Sequence, residues 1–256
     1  MLNPIITLTT DFGTSDGYVG AMKGRFMTMV PDALLIDITH DIAPQDIVQA
    51  AWALKRSVFE YPPGTVHVAV IDPGVGGERQ ALAVQTEDYW LIGPDNGVFT
   101  KVLQKSPPIG VWALHAETPY WSKHHSFDGL ALFTPAAAYL ANDNPVEHIA
   151  KQATSFVSLP AVDIERTEAG MVGQILFFDR FGNAITNIDR RQLPAKTLAI
   201  QVKDLIVPLV RCYSHGDMPI KAIINSDGLL EICSFQGSAK EMLGLVQGDP
   251  IGINWH

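Results

Sequence analysis

Cysteine is almost missing from this chain: two residues, Cys212 and Cys233, in 256. So few, in no pattern, exclude a disulfide framework or a thiolate metal site, and two reduced thiols of a cytoplasmic protein are expected. Cations are scarce as well. Eighteen Lys and Arg against 27 Asp and Glu leave a net charge of -9 and no basic run. Holding phosphates needs clustered Lys and Arg, so a nucleic-acid partner is not expected. No stretch approaches the roughly 18 apolar residues of a membrane span. Met1-Leu2-Asn3-Pro4 puts no cationic segment before the first apolar run, so a leader is not expected either. A soluble cytoplasmic protein without a membrane partner is the reading. The remaining composition, 47% hydrophobic and 18% charged, is that of an ordinary globular chain with material for one large domain or two modest ones.

From the start to about residue 152 the texture alternates. Strand-like runs at 5–10, 34–39, 66–71, 81–85, 89–93 and 111–114 are separated by helical patterns at 17–29, 45–59, 98–105 and 128–141. Alternating β and α units predict an α/β fold with a largely parallel sheet covered by helices on both faces. Beyond a connection at 153–169, residues 170–256 hold short strand candidates at 171–178, 197–202, 205–210, 221–225 and 229–233 and one helical stretch at 239–243. Gly, Asn and Asp turns break them up, which predicts a smaller, mostly-β, barrel-like or sandwich domain.

Polar residues gather where apolar runs stop. Ile5-Ile6-Thr7-Leu8 ends in Thr9-Thr10-Asp11-Phe12-Gly13-Thr14-Ser15-Asp16-Gly17, and Val66-His67-Val68-Ala69-Val70 ends in Ile71-Asp72-Pro73-Gly74-Val75-Gly76-Gly77-Glu78-Arg79. An α/β sheet keeps its ligands at the carboxyl ends of its strands. The glycines do not follow G-x-G-x-x-G, and Asp11 and Asp16 would repel a pyrophosphate, so a dinucleotide is rejected. A carboxylate there suits a ribose diol, an ammonium group or a metal. Asp16 also reads as an N-cap for the helix that follows. Asp72 and Arg79 are close enough to meet across a folded-back glycine loop, either to hold a nucleophilic water or merely to fasten the loop.

Other clusters are less specific. Gly93-Pro94-Asp95-Asn96-Gly97 reads as a turn feeding a helix. His115, His124 and His125 lack any metal-ligand spacing. His40 and Asp41 end a third strand with no evident partner. Asp179-Arg180-Phe181-Gly182-Asn183 and Asn225-Ser226-Asp227-Gly228 read as turns. No metal and no cofactor is expected.

Taken as an ordered set, 10–17, 40–46, Asp72 to Gly77, 93–97, Phe133-Thr134-Pro135-Ala136-Ala137, Phe181-Gly182-Asn183 with Thr186-Asn187-Ile188, and Asn225-Ser226 resemble the S-adenosylmethionine (SAM) hydrolases, also called SAM hydroxide adenosyltransferases. These are relatives of the enzymes that fluorinate or chlorinate SAM. The resemblance implies an N-terminal α/β domain, a C-terminal β-barrel-like domain and a homotrimer that holds SAM between one subunit's N-terminal and a neighbour's C-terminal domain. It implies displacement at the ribose C5′ of SAM, with L-methionine leaving and water giving adenosine. By position, Asp11 matches the ribose-gripping aspartate and Asp16 the acidic residue near the methionine end. Asp179, Asn183 and Ser226 match positions that hold the methionine amino and carboxylate groups, and Asp72 and Arg79 match two members of a water-activating Asp-Arg-His triad.

The third member differs. Where the family's histidine stands five residues before the motif phenylalanine, this chain has Asp128, in Ser126-Phe127-Asp128-Gly129. The neighbouring His125 is the other candidate for that place. A second carboxylate beside Asp72 makes a shared-proton pair centred on Arg79 when both are desolvated. It would also repel a halide. Hydrolysis of SAM is therefore the leading expectation, with a SAM-dependent halogenase or a weakly active SAM- or adenosine-binding protein as alternatives.

Overall fold

Alternation builds the first sheet. In the computed structural model, which describes residues 3–115, 126–194 and 198–255, Ile6 and Leu8 of β1 (Ile5–Thr10) join one hydrophobic cluster, while the intervening Thr7 and Thr9 are buried outside it. After β1 come α1 (Tyr18–Met29), β2 (Leu34–Thr39), α2 (Ile47–Ser57), β3 (Val66–Val70), β4 (Ala81–Gln85) and β5 (Trp90–Pro94). The single turn α3 (Thr100–Leu103), β6 (Gly110–Leu114), α4 (Thr134–Ala141) and β7 (Ala150–Gln152) complete the first of two compact units, which ends at Leu159.

Its seven strands lie in the order β2-β1-β3-β5-β4-β6-β7. β2, β1, β3 and β5 are mutually parallel, and β6, two antiparallel steps from β5, runs with them; only β4 and β7 oppose. The two faces carry separate cores. Ile6, Leu8, Val66 and Val68 pack with Phe26 of α1 and Ala136 of α4, while Ala69, Leu82 and Leu91 pack with Leu54 of α2 and Val102 of α3. Such near-fully buried strands are what a helix-covered sheet requires. β1 leads to β2 on one side, whereas β3 lies on the other, so the strand order reverses between β1 and β3. Ligands of doubly wound folds bind in the crevice at that reversal.

Two helical expectations shift. The pattern at 98–105 becomes only the one turn α3, because the apolar Val98 and Phe99 are buried ahead of it in the bend that ends β5. The pattern at 128–141 divides into a π-helical turn, Gly129–Phe133, and α4; the Thr134 hydroxyl bonds back to the Gly129 carbonyl at 2.7 Å, within the widened turn. Pro135 then sits in the first turn of α4, where its missing N–H costs nothing.

The second unit begins at Pro160. It contains β8 (Glu165–Arg166), β9 (Gly170–Phe178), β10 (Ala184–Asp189), β11 (Leu198–Val202), β12 (Leu205–Val207), β13 (Ile220–Ile224), β14 (Leu229–Ser234), α5 (Ala239–Leu243) and β15 (Pro250–Trp255). The antiparallel order β12-β11-β15-β9-β10-β14-β13, with β8 on β9, wraps around Ile175, Ile188, Ile232 and Ile253. The expected strand at 205–210 stops at Val207. Pro208 and Val210 then exchange backbone hydrogen bonds with Ala222 of β13, at 2.9 and 2.8 Å, which brings the two ends of the sheet together into a nearly closed barrel. Among the described residues no helix is long and apolar enough to cross a membrane.

Candidate functional site

The strand ends flanking the reversal supply the first groups. Asp11 directly follows β1, Asp72 is the second residue after β3, and both line a cleft of about 260 Å³ together with Gln45, Phe127 and Asp128. Asp128 comes from the residue just before the π-helical turn. Widened turns of this kind concentrate at functional sites because they re-aim the side chains at their ends.

Arg79 ties the cleft together. Its Nε donates to Asp72 Oδ2 at 3.0 Å and its Nη2 to the same oxygen at 2.5 Å, while Nη2 also donates to Asp128 Oδ2. Side-chain exposures of 14% for Arg79, 5% for Asp72 and 19% for Asp128 make this a largely desolvated carboxylate–guanidinium–carboxylate bridge. Burial works against the guanidinium charge, but hydrogen bonds and Coulombic attraction from Asp72 and Asp128 outweigh it and raise the Arg79 pKa above its ordinary value. The wholly buried Phe133 ring lies under the guanidinium, 5.5 Å from ring centre to Cζ. Gly74 lets the loop close: a Cβ there would stand 3.1 Å from Arg79 Cγ.

Asp11 is held from a different direction. The backbone N–H of Gln45 donates to Asp11 Oδ2 at 2.8 Å, and Gln45 adopts φ 67°, a left-handed conformation uncommon for a side-chain-bearing residue. Behind it, the His40 ring joins Thr10 Oγ1 at 2.9 Å to Asp37 Oδ1 at 3.0 Å, and Thr10 Oγ1 accepts the Phe12 N–H. Burial disfavours the Asp37 charge, yet its bonds to Lys23 and His40 lower its pKa overall. His40, which had no evident partner in the sequence, thus braces the end of β1. Asp16 is exposed and lies outside the cleft lining, and it is not a helix cap; Gly17 takes that place on α1 with no side-chain bond.

In the second unit, the β9–β10 turn brings Asp179 and Asn183 together. Asp179 accepts the N–H groups of Phe181 and Asn183 and the Asn183 side-chain amide, each at 2.9 Å. Asn183 Oδ1 is buried with no hydrogen-bond partner, an acceptor held ready for a donor. Ser226 does not join them. Ala184 pairs with Ile232, near one end of β14, and Ser226 lies beyond Leu229, at the other. At about 3.3 Å per residue the separation is on the order of 13 Å. Ser226 instead lines a second cleft of about 920 Å³ with Asn225, Arg190 and Arg211.

Aromatic rings surround these groups. Phe12, Tyr18 and Phe127 form a mutual cluster with centroids 5.1 to 5.7 Å apart. In the second unit Phe181 is 74% and Phe235 50% exposed, whereas the Tyr213 hydroxyl donates to Glu231 at 2.8 Å. His124 and His125 lie outside the described residues. Among the described residues no group of three or more His, Cys, Asp or Glu is placed to hold a metal ion. Sequence reasoning missed Gln45 and Phe127 as cleft residues and Phe133 as the support of Arg79. The one available signal, that Gln45 and Phe133 lie in the motif set, does not give a role.

The fold and the cleft define a class: a helix-covered α/β unit with acidic groups and a half-buried guanidinium at its strand reversal, followed by an antiparallel barrel unit. More narrowly, residues 6–150 match the SAM hydroxide adenosyltransferase N-terminal domain and residues 173–252 its C-terminal domain, and the chain belongs to that family. It is 36% identical to the (R)-S-adenosyl-L-methionine hydrolase of Thermus thermophilus, over 98% of this chain and 100% of that one. It is 35% identical to the protein of the same name from Methanocaldococcus jannaschii, over 97% and 95%. The crystal structure of an uncharacterized conserved protein from Thermotoga maritima superimposes with a TM-score of 0.86 at 27% identity, covering 97% of this chain and 99% of that one.

Proposed function

We propose that this protein hydrolyses S-adenosylmethionine to adenosine and L-methionine. The observation that carries this reading is the Arg79 bridge between Asp72 and Asp128, set in the strand-end cleft beside Asp11. Guanidinium N–H groups hold the oxygen of a water, and a carboxylate on the same guanidinium accepts its proton. The water oxygen forms a bond to C5′ as the C5′–S bond breaks. The electron pair stays on sulfur, which leaves as the neutral thioether of methionine. A sulfonium is already a good leaving group, so placement in line and partial desolvation are what the protein has to add.

Charge favours water over halide. Asp11, Asp72 and Asp128 line the cleft, and one guanidinium is shared between the last two, an environment that attracts a sulfonium and repels an anion. Asp128 takes the place of the histidine in the family triad, so both flanking groups of Arg79 are acceptors. Asp11 grips the ribose diol. Asp16 reaches the methionine end when ligand is bound. Asp179, Asn183 and Ser226 supply the second unit's contacts; the distance between Ser226 and the other two requires an extended ligand. A homotrimer in the cytoplasm is the assembly that goes with this reading, and sedimentation tests it.

The test is Arg79→Ala. Loss of water placement lowers kcat on the order of 10²–10⁴-fold, while the retained Asp11 keeps adenosine binding measurable by calorimetry. Unchanged hydrolysis refutes the role given to Arg79.

A further inference from the structure

The turn Gly93-Pro94-Asp95-Asn96-Gly97 does more than join β5 to α3. Its Asn96 side-chain amide donates to the carbonyl of Ile71 at 2.8 Å, and the peptide that carries this carbonyl leads directly into Asp72. Its Asp95 N–H donates to the carbonyl of Gln80 at 2.8 Å, the residue directly after Arg79. One turn therefore grips both ends of the loop that carries the two groups. Other bonds fix the turn itself. Asn96 Oδ1 accepts the Val98 N–H at 3.2 Å, and Asp95 Oδ1 accepts the Val157 N–H at 2.7 Å. Gly93 lets it sit this close, since a Cβ there would collide with the Ala69 carbonyl and stand 2.9 Å from Phe99.

From this geometry we infer that Asn96 is a positioning residue for hydrolysis, acting through the Ile71 carbonyl to hold Asp72, and with it Arg79, in register with the cleft. It touches no reacting atom. The inference rests on the hydrolase reading, but the bracing itself is measurable without turnover. Beside the Arg79 bridge to Asp72 and Asp128, the backbone bonds of the loop between the two grips are, among the described residues, local turn bonds, from Val75 N–H to the Asp72 carbonyl and from Gly77 N–H to that of Gly74. A long, glycine-rich loop of this kind keeps one arrangement only while its ends are fixed.

Two variants separate bracing from capping. Asn96→Asp is isosteric but has no N–H for Ile71. Asn96→Ser keeps an oxygen able to cap the Val98 N–H and is too short to reach the Ile71 carbonyl. For both, kcat for SAM, per folded molecule by circular dichroism, is expected to fall roughly 10- to 100-fold, as small misplacements of reacting groups do, with KM within about threefold. The pH profile of kcat is expected to move, and amide exchange across 72–79 to rise about tenfold while β1 stays protected. A kcat loss matched by the unfolded fraction with an unmoved pH profile, or unchanged exchange in 72–79, overturns the inference. If the unaltered protein leaves SAM intact, the hydrolase reading fails by itself, and exchange across 72–79 alone decides whether Asn96 braces the loop.

Discussion

By the sequence resemblance Asp128 stands where a family histidine is expected, and its contacts say what a carboxylate does there. A histidine beside Arg79 would be an ambiguous neighbour, donor or acceptor by tautomer; Asp128 is an acceptor that shares Arg79 Nη2 with Asp72. The bridge therefore needs a carboxylate or another acceptor at 128 more than it needs that particular side chain. Asp128→His is expected to keep hydrolysis within about tenfold, whereas Asp128→Leu, which leaves Arg79 held by Asp72 alone in a partly buried cleft, is expected to lose on the order of 10²-fold in kcat. Steady-state kinetics at saturating SAM separates the two. Equal losses would mean that Asp128 acts by its shape alone.

Within elements, the most consequential polar pair outside the cleft lies between β1 and β3. Thr7 Oγ1 and His67 Nδ1 are 2.7 Å apart, and the ring packs edge-on to Tyr61 and Tyr89. Burial lowers the His67 pKa from 6.5 to about 3. The folded state thus keeps the ring neutral while the unfolded chain takes up a proton below pH 6.5. The stability tied to neutrality is present in full above that value and is lost progressively as pH falls toward 3. Between pH 6.5 and 5 this one group should remove about 2 kcal/mol from the unfolding free energy, at roughly 1.4 kcal/mol per pH unit. Urea titrations of His67→Gln beside the unaltered protein are expected to show the difference between them shrinking by that amount over this range. A constant difference would mean that His67 takes up its proton equally in the folded and unfolded protein.

The same element scale explains what could be read beforehand. β1, β3 and the loop from Asp72 to Arg79 were legible because each is local: an apolar run, a carboxylate, then glycines. β10 was hidden because Asn187 and Asp189 give it the composition of a turn; where its register with the neighbouring β14 shifts, the Thr186 hydroxyl donates to the Leu230 carbonyl at 2.7 Å. β15, Pro250–Trp255, carries a proline and a glycine, yet it is the strand between β9 and β11. The grip of Asn96 on Ile71 and the separation of Ser226 from Asn183 are consequences of strand register, which no short motif encodes.

For the molecule as a whole, the acidic balance is consistent with a cationic small-molecule substrate and the acidic cleft makes it local, while the barrel unit offers Asn183 Oδ1 as an unclaimed acceptor. This architecture is expected to deliver water, and not a halide, to C5′. That expectation is tested most directly by incubating purified protein with each sulfonium epimer of SAM, with and without chloride or fluoride, and separating the nucleoside products by chromatography. Adenosine and L-methionine are expected in equal amounts, from at least one epimer, at a rate indifferent to halide. A halogenated nucleoside, or SAM recovered unchanged from both epimers, would contradict that expectation.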